Sequence, residues 1–456
     1  MSRVVVIGAG AMGLAAAYRA VKLGHQVDLI EASPEPGGMA GHFDFDGISI
    51  ERFYHFVCHN DLPTFALMKE LGIADKMIWR PTTMGFFSGN TLHPWGEPIS
   101  LLKLPGVSLI DKLRYGLFAF VCTRRNHWPA IENESAKSWI IRWSGAANFD
   151  RFWKPLFAHK FYEYADNISA AWIWTRIRRV GRSRKSIFQE ELGYIDGGSI
   201  TLINSLVAAI QSLGGRVHLG NPVQQITVEQ VTAQQNRVTG VQTAKGHFPA
   251  DAVICTAPTP LVSAMIPELP SEWKDRYNAI HNIGVICVIF KLTRSVTPHF
   301  WVNVSEPDID IPGVIEFSNL RKAGDHTILY VPFYMPVTNP KFTAPDEDLV
   351  AEAFACLQRI NPKLTTQDIV ATKVARLRHG QPICEPGFLS KIPPVQTPIA
   401  GLQIADTCFY YPEDRGIAES VRVGAAMAES ITSGKPVHTA PAVIENLSSG
   451  SSSSAS

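Results

Sequence analysis

A chain of 456 residues, 46% hydrophobic and 18% charged, is too long for one simple core and too apolar for a disordered protein, so two or more packed domains are expected. A formal charge of +1 provides no global field for a polyanion and argues against a nucleic-acid partner. The seven cysteines, at 58, 122, 255, 287, 356, 384 and 408, contain no C-x-x-C pair, so they write neither a zinc site nor a dithiol redox centre, and a reducing, cytoplasmic setting is expected.

The N-terminus enters a strand within three residues, with no charged leader or apolar export core, and no stretch reaches 18 uncharged apolar residues. Residues 4–7 read as a strand, 8–13 as a Gly-rich turn, 14–23 as a helix and 26–31 as a second strand, together a βαβ unit. Segment 43–50 alternates apolar and polar residues around Asp46-Gly47 and predicts a β-hairpin. From about 81 to 190 the texture becomes rich in Trp and Phe with a mostly helical pattern, as expected of a lid over an apolar cavity. Within it, 99–121 is the most apolar stretch, interrupted by Pro105, Asp111, Lys112 and Arg114. It can lie on a bilayer as an amphipathic helix, with Leu113, Leu117, Phe118, Phe120 and Val121 on or near one face, or form a buried wall. The basic run Arg176, Arg178, Arg179, Arg182, Arg184 and Lys185 reads either as a solvated helix face or as the seat of an anionic partner, a substrate phosphate or lipid headgroups. After Gly197-Gly198 the pattern returns to α/β, with a helix over 200–213 and strand-like segments near 217, 223–228, 238–243 and 252–255. A strand-rich block at 280–335 and a helix at 349–359 predict a substrate-side sheet. A strand over 401–406 and a helix from about 417 to 432 close the fold, and 437–456, ending in SSGSSSSAS, is expected to be disordered.

The turn Gly8-Ala9-Gly10-Ala11-Met12-Gly13 follows a strand and opens a helix, and the acid Glu31 ends the next strand, which is the dinucleotide fingerprint. Gly8 permits the tight turn, Gly10 lets the backbone approach a pyrophosphate, and Gly13 packs helix on strand. The helix N-terminus offers unpaired N–H groups and partial positive charge to the phosphates. Glu31 can accept both ribose hydroxyls and repels a 2′-phosphate, which disfavours NADP.

Residues 31–41, Glu-Ala-Ser-Pro-Glu-Pro-Gly-Gly-Met-Ala-Gly, resemble the second glycine cluster of the glutathione-reductase-type flavoproteins. The likeness is strongest to the amine oxidase, protoporphyrinogen oxidase and phytoene desaturase branch. The distal stretch 401–406 followed by Arg415-Gly416-Ile417-Ala418-Glu419-Ser420-Val421 and Gly424 resembles that branch's terminal strand and Gly-led helix. The resemblance spans roughly 1–60, 190–260 and 395–435 and implies FAD. It places Gly8, Gly10, Ala11, Met12, Gly13, Glu31, Ala32, Gly37, Gly38, Met39, Ala40 and Thr256 at the cofactor, with Val223 at the adenine end and Asp406 at a ribityl hydroxyl. The backbone around Gly416, Ile417 and Ala418 would meet the N1/O2 edge of the isoalloxazine, where a helix N-terminus stabilises developing negative charge. Ser33 and Met39 stand where many members carry Arg, and Ala405 where Gly is usual. The implied architecture is α/β. A discontinuous, glutathione-reductase-like Rossmann-type FAD-binding domain (1–80, 191–265 and 386–436) carries an inserted α+β substrate-binding domain (81–190 and 266–385, helical lid plus sheet).

There is no second G-x-G-x-x-G and no redox C-x-x-C, so oxygen or a quinone is the expected electron acceptor. The implied chemistry is hydride transfer from a substrate C–H to flavin N5, with no side-chain nucleophile and no metal. The candidate site residues are Tyr54 and His55, which follow the hairpin, and Tyr410, Tyr411, Asp414 and Arg415, which precede the flavin-facing helix. Gly416 occupies the place where amine oxidases hold an aromatic cage residue, so a bulky apolar or amphipathic small molecule is expected as substrate: an isoprenoid, a porphyrinogen or a lipid-linked intermediate. Two alternatives stand beside this reading. Tyr54-His55-Phe56 resembles the His-Phe-His segment of UDP-galactopyranose mutase, a non-redox flavoenzyme acting on a nucleotide sugar, and the departures at Ser33, Met39 and Ala405 fit a non-catalytic flavin-binding protein.

Overall fold

The computed structural model describes residues 1–186, 188–232 and 235–440; of the tail expected to be disordered, 441–456 lie outside them. Five parallel strands form the first sheet, in the order Arg216–His218, Gln26–Ile30, Arg3–Ile7, Ala252–Cys255 and Leu402–Ile404. The Val/Ile-rich central strands bury on both faces, as a parallel sheet covered on each side requires: Val4, Val5, Val6, Val253 and Ile254 are all fully buried. Helices Ala11–Lys22 and Ile417–Ser433 pack against one another beside this sheet. The contact is so close that a Cβ on Gly424 would lie 2.3 Å from the Met12 carbonyl oxygen. Rossmann topology therefore follows from three chain segments far apart in sequence, and the expected α/β class is the observed one.

The second sheet has seven strands, in the order Ile369–Pro382, Asn282–Leu292, Thr327–Met335, Gly313–Glu316, Trp301–Val304, Met84–Ser88 and Thr91–Trp95. All pairings are antiparallel except Trp301–Val304 with Met84–Ser88. Helix Asp346–Ile360 buries Leu349, Ala353, Phe354 and Leu357 against it. The expected mostly helical texture of 81–190 holds between Pro98 and Arg182, but the two ends of the segment are strands. Strands Met77–Thr82, Met84–Ser88 and Thr91–Trp95 open the segment, and Arg184–Ser186 and Gln189–Ile195 close it. The missed signal is Gly89-Asn90, whose φ values of 63° and 53° form the left-handed two-residue turn of a hairpin between aromatic strands.

The apolar stretch 99–121 is cut at Pro105-Gly106 into helices Pro98–Lys103 and Leu109–Arg124. Phe118 and Cys122 point into the core, whereas Leu109, Ile110, Leu113, Leu117 and Phe120 are exposed, as are Ile99 and Leu102 on the shorter helix. Phe118 therefore does not share the outer face with Leu113 and Leu117. Among the described residues no helix is long and apolar enough to cross a membrane.

Candidate active site

One cavity of about 900 Å³ runs from the N-terminal fingerprint, past the start of helix Ile417–Ser433, to the face of the seven-stranded sheet. At the fingerprint end, a Cβ on Gly13 would sit 1.9 Å from the Gly8 carbonyl oxygen, whereas one on Gly10 would meet nothing within 4 Å. Gly13 thus serves helix-on-strand packing, and Gly10 borders open space. The second glycine cluster presses on the first: the Gly37 N–H donates to the Ala9 carbonyl at 2.8 Å, and a Cβ on Gly38 would lie 3.2 Å from Gly10 Cα. Glu31 is fixed by two backbone donors, accepting from the Ala9 N–H at 2.6 Å and the Ser33 N–H at 2.8 Å. Each of its oxygens keeps a lone pair for a further donor.

Two helices, Ala11–Lys22 and Ile417–Ser433, start at the cavity with glycine N-caps, Gly10 and Gly416, and neither start is closed by a side-chain cap. Their first N–H groups are left to a ligand. This is the fit expected of FAD, whose diphosphate and whose N1–C2=O edge both seek such donors. Gly8, Ala11, Met12, Ala32, Met39, Ala40, Val223, Thr256, Asp406, Gly416 and Ile417 also line the cavity and could hold the cofactor. Asp406 accepts from the backbone N–H groups of Thr259 at 2.7 Å and Cys408 at 2.9 Å, so it orders the loop as well as facing the cavity. Gly13 and Ala418 lie behind the lining, Ala418 at 8% exposure.

Tyr54 and His55 line the cavity. The Tyr54 ring meets Trp301 and Tyr330 edge-on, with centroids 5.6 and 5.9 Å apart, and burial pushes its phenol well above the usual range. His55 Nδ1 lies 2.6 Å from the Phe53 carbonyl oxygen, an arrangement that makes Nδ1 the donor and Nε2 the free acceptor. Burial lowers the imidazole's pKa although Glu51 opposes it, so the ring is neutral near pH 7. Tyr410, Asp414 and Arg415 also line the cavity, but Tyr411 does not. The Tyr411 hydroxyl turns the other way and bonds Glu132 and Ser169, and its ring packs on Phe388.

The wall also holds residues that the sequence marked only as part of a basic run, or not at all. Arg176 and Arg179, one turn apart on helix Ala170–Arg182, face inward rather than forming a solvated face: Arg176 pairs with Asp414 at 2.6 Å and Arg179 with Asp61 at 2.7 Å. Lys160, His379, Gln381 and Glu413 join them. Burial and the nearby Glu419 push the Glu413 carboxyl up to about 7. The inward arginines were legible as an i, i+3 pair; Lys160 and His379 had no signal, because nothing in their local sequence marks them. Beneath the 53–56 segment, Glu51 accepts from the Ser199 N–H at 3.1 Å, approaches His42 at 3.4 Å and pairs with Arg321 at 3.2 Å. Burial pushes its carboxyl up, but His42, Arg321 and the Ser199 N–H outweigh it and hold the group at about 2.

A family described as flavin containing amine oxidoreductase matches residues 13–382. The "probable zeta-carotene desaturase" of Synechococcus elongatus is 26% identical over 314 residues, covering 63% of this chain and 64% of that protein. The chain thus spans a little under two thirds of that relative's length. Among solved structures, putrescine oxidase bound to putrescine superposes with a TM-score of 0.71 at 18% identity, covering 95% of this chain and 99% of the other. Reduced UDP-galactopyranose mutase gives 0.71 at 16% identity over 95% and 96%. These likenesses establish the fold and leave the substrate open.

Proposed function

The chain belongs to the flavin containing amine oxidoreductase family, with FAD as its cofactor, and from that premise we propose that it oxidises a bulky, mostly apolar or amphipathic substrate. The activity would be that of a dehydrogenase, oxidase or desaturase. The observation that carries this reading is the cavity itself, whose far end is walled by Tyr54, Phe56, Phe300, Trp301 and Tyr334. A relative named as a zeta-carotene desaturase supports an isoprenoid-like body. When bound, FAD supplies the hydride acceptor.

In this reading residues 1–80, 191–265 and 386–436 hold the cofactor, and 81–190 with 266–385 hold the substrate. The start of helix Ala11–Lys22, with Gly10, Gly37 and Gly38 beside it, would seat the diphosphate, Glu31 the ribose, Val223 the adenine end, and Thr256 and Asp406 the ribityl chain. Gly416, Ile417 and the Ala418 backbone would seat the isoalloxazine. The aromatic wall excludes water and orients the reacting C–H. Where a double bond forms, a proton must leave with the hydride, and the free Nε2 of His55 is the acceptor for it; Tyr54, Tyr410 and Arg415 position the substrate. Oxygen or a quinone would reoxidise the enzyme, and the exposed row Leu109, Ile110, Leu113, Leu117 and Phe120 would rest it on a membrane surface.

A UDP-galactopyranose mutase-like reaction is the second reading, favoured by the cations on the cavity wall. Against it, Arg176 and Arg179 are already neutralised by Asp414 and Asp61. Anaerobic mixing of the oxidised holoenzyme with isoprenoid, porphyrinogen and lipid-linked compounds separates the two. Bleaching of the flavin supports substrate oxidation. Turnover of a nucleotide sugar that requires prior reduction of the flavin would replace it with the mutase reading.

A further inference from the structure

We propose that the substrate carries an anionic head, a carboxylate or a phosphate, on its apolar body, and that Lys160 and Arg415 seat that head. The proposal rests on the cavity being the substrate site. Lys160, from helix Lys154–Phe161, and Arg415, from the loop before helix Ile417–Ser433, both line the cavity. They approach the ring of Tyr334 together, Lys160 Nζ at 4.9 Å and Arg415 Cζ at 6.0 Å from its centroid.

The other two cations of this wall are ion-paired. Arg176 donates to Asp414 at 2.6 Å and to Gln381 at 3.0 Å, and Arg179 donates twice to Asp61, at 3.1 and 2.7 Å. Among the described residues no carboxylate comes within 4.0 Å of Lys160 Nζ or of the Arg415 guanidinium; Arg415 donates one N–H to the Gly380 carbonyl. Arg415, and Lys160 whenever it is protonated, have no carboxylate in ion-pair contact, Asp414 acting on both only at longer range, and a charge left so in a mostly apolar cavity is costly unless a ligand neutralises it. A pure hydrocarbon would leave them so, whereas an anionic head pairs with both.

The charges around Lys160 give the arrangement a measurable signature. Burial, Arg176 and Arg415 lower its pKa, Asp414 opposes them, and the Tyr334 face adds a weak attraction. An arriving anion tips the balance towards the ammonium form, so binding takes up a proton.

Calorimetry on the holoenzyme with octanoate, octyl phosphate and octanol tests this. The anions should bind on the order of 10- to 100-fold more tightly than the alcohol, with a binding heat that varies with the ionisation enthalpy of the buffer. The tighter of the two anions identifies the head group. Lys160→Met should lose the preference and the proton uptake while keeping its flavin, and Lys160→Arg should keep the preference. Equal binding of octanol, failure of both anions to bind, or an unchanged preference in Lys160→Met would overturn the proposal. Loss of flavin from Lys160→Met would also overturn it, by placing the lysine on the cofactor. Substrate oxidation is read separately, by flavin bleaching, so a failure of that reading leaves a distinct trace.

Discussion

Substituting two glycines of one turn should have opposite consequences. At Gly13 an added methyl would lie 1.9 Å from the Gly8 carbonyl oxygen and 3.0 Å from its carbon. The helix start must then withdraw by roughly 1 Å, an overpacking that costs about 1–3 kcal/mol, offset by up to about 1 kcal/mol of helix propensity. Gly13→Ala should therefore destabilise the apoprotein by about 1–2 kcal/mol. Gly10 has φ −69° and ψ 173°, an extended conformation open to any residue, and no atom lies within 4 Å of its added Cβ. Gly10→Val should leave apoprotein stability within about 0.5 kcal/mol of wild type. It would, however, fill the space that the diphosphate needs, lowering FAD affinity at least about 100-fold, or roughly 2.7 kcal/mol. Urea denaturation of the apoproteins, followed by tryptophan fluorescence, and titration with FAD measure the two effects separately. Wild-type FAD affinity in Gly10→Val would refute the assignment of the open space, and wild-type stability in Gly13→Ala would refute the close packing of helix on strand.

Glu51, held at about 2 against an ordinary 4.5, contributes stability above pH 4.5 that is lost as pH falls towards 2, up to about 3 kcal/mol. Urea melts between pH 5 and 3 should show this slope in wild type and a shallower one in Glu51→Gln; parallel curves would contradict it. Glu413 has the opposite sign. With a folded value of about 7 against 4.5, the folded protein keeps a proton that the unfolded chain has released, so stability falls as pH rises from 4.5 to 7. The loss is roughly 3 kcal/mol, and Glu413→Gln should abolish it in melts across that range. Leu113 and Leu117 are 61% and 58% exposed, so the double variant Leu113→Glu/Leu117→Glu should keep its stability and flavin yet fail to float with phospholipid vesicles that carry wild type; equal flotation would remove that face from membrane contact.

The parallel-sheet half of the fold was legible because its constraints are local. The strand–turn–helix around Gly8 to Gly13, the hairpin at Asp46-Gly47, with φ values of 56° and 82°, and the Gly-led helix from 417 each depend on residues adjacent in the chain. The second half was legible only in part. The aromatic texture of 81–190 reflects burial, which strands and helices share: Phe86 and Phe87 lie on a strand, whereas Phe157 and Phe161 lie on a helix, and all four are buried. Periodicity could not separate them, and the short turn at Gly89-Asn90 was the distinguishing feature.

The far end of the cavity was legible only in part, for a different reason. Lys160, Arg176, Tyr334, His379 and Arg415 come from three helix or loop segments and two strands; Arg176 belongs to the basic run and Arg415 precedes the Gly-led helix, but Lys160, Tyr334 and His379 belong to no motif, and the meaning of all five arises when the chain folds them onto one cavity. Charge pairing then divides them. Arg176 and Asp414, and Arg179 and Asp61, satisfy one another and can be understood as parts that stiffen the wall. Lys160 and Arg415 are left outside these pairs, and two basic groups facing an aromatic wall with no carboxylate in ion-pair contact among the described residues are a statement about the ligand rather than the fold. The same sequence signals that point to FAD therefore cannot identify the substrate, because FAD would be held chiefly by backbone that glycines expose, whereas the substrate would be held by side chains whose partners are absent from the chain.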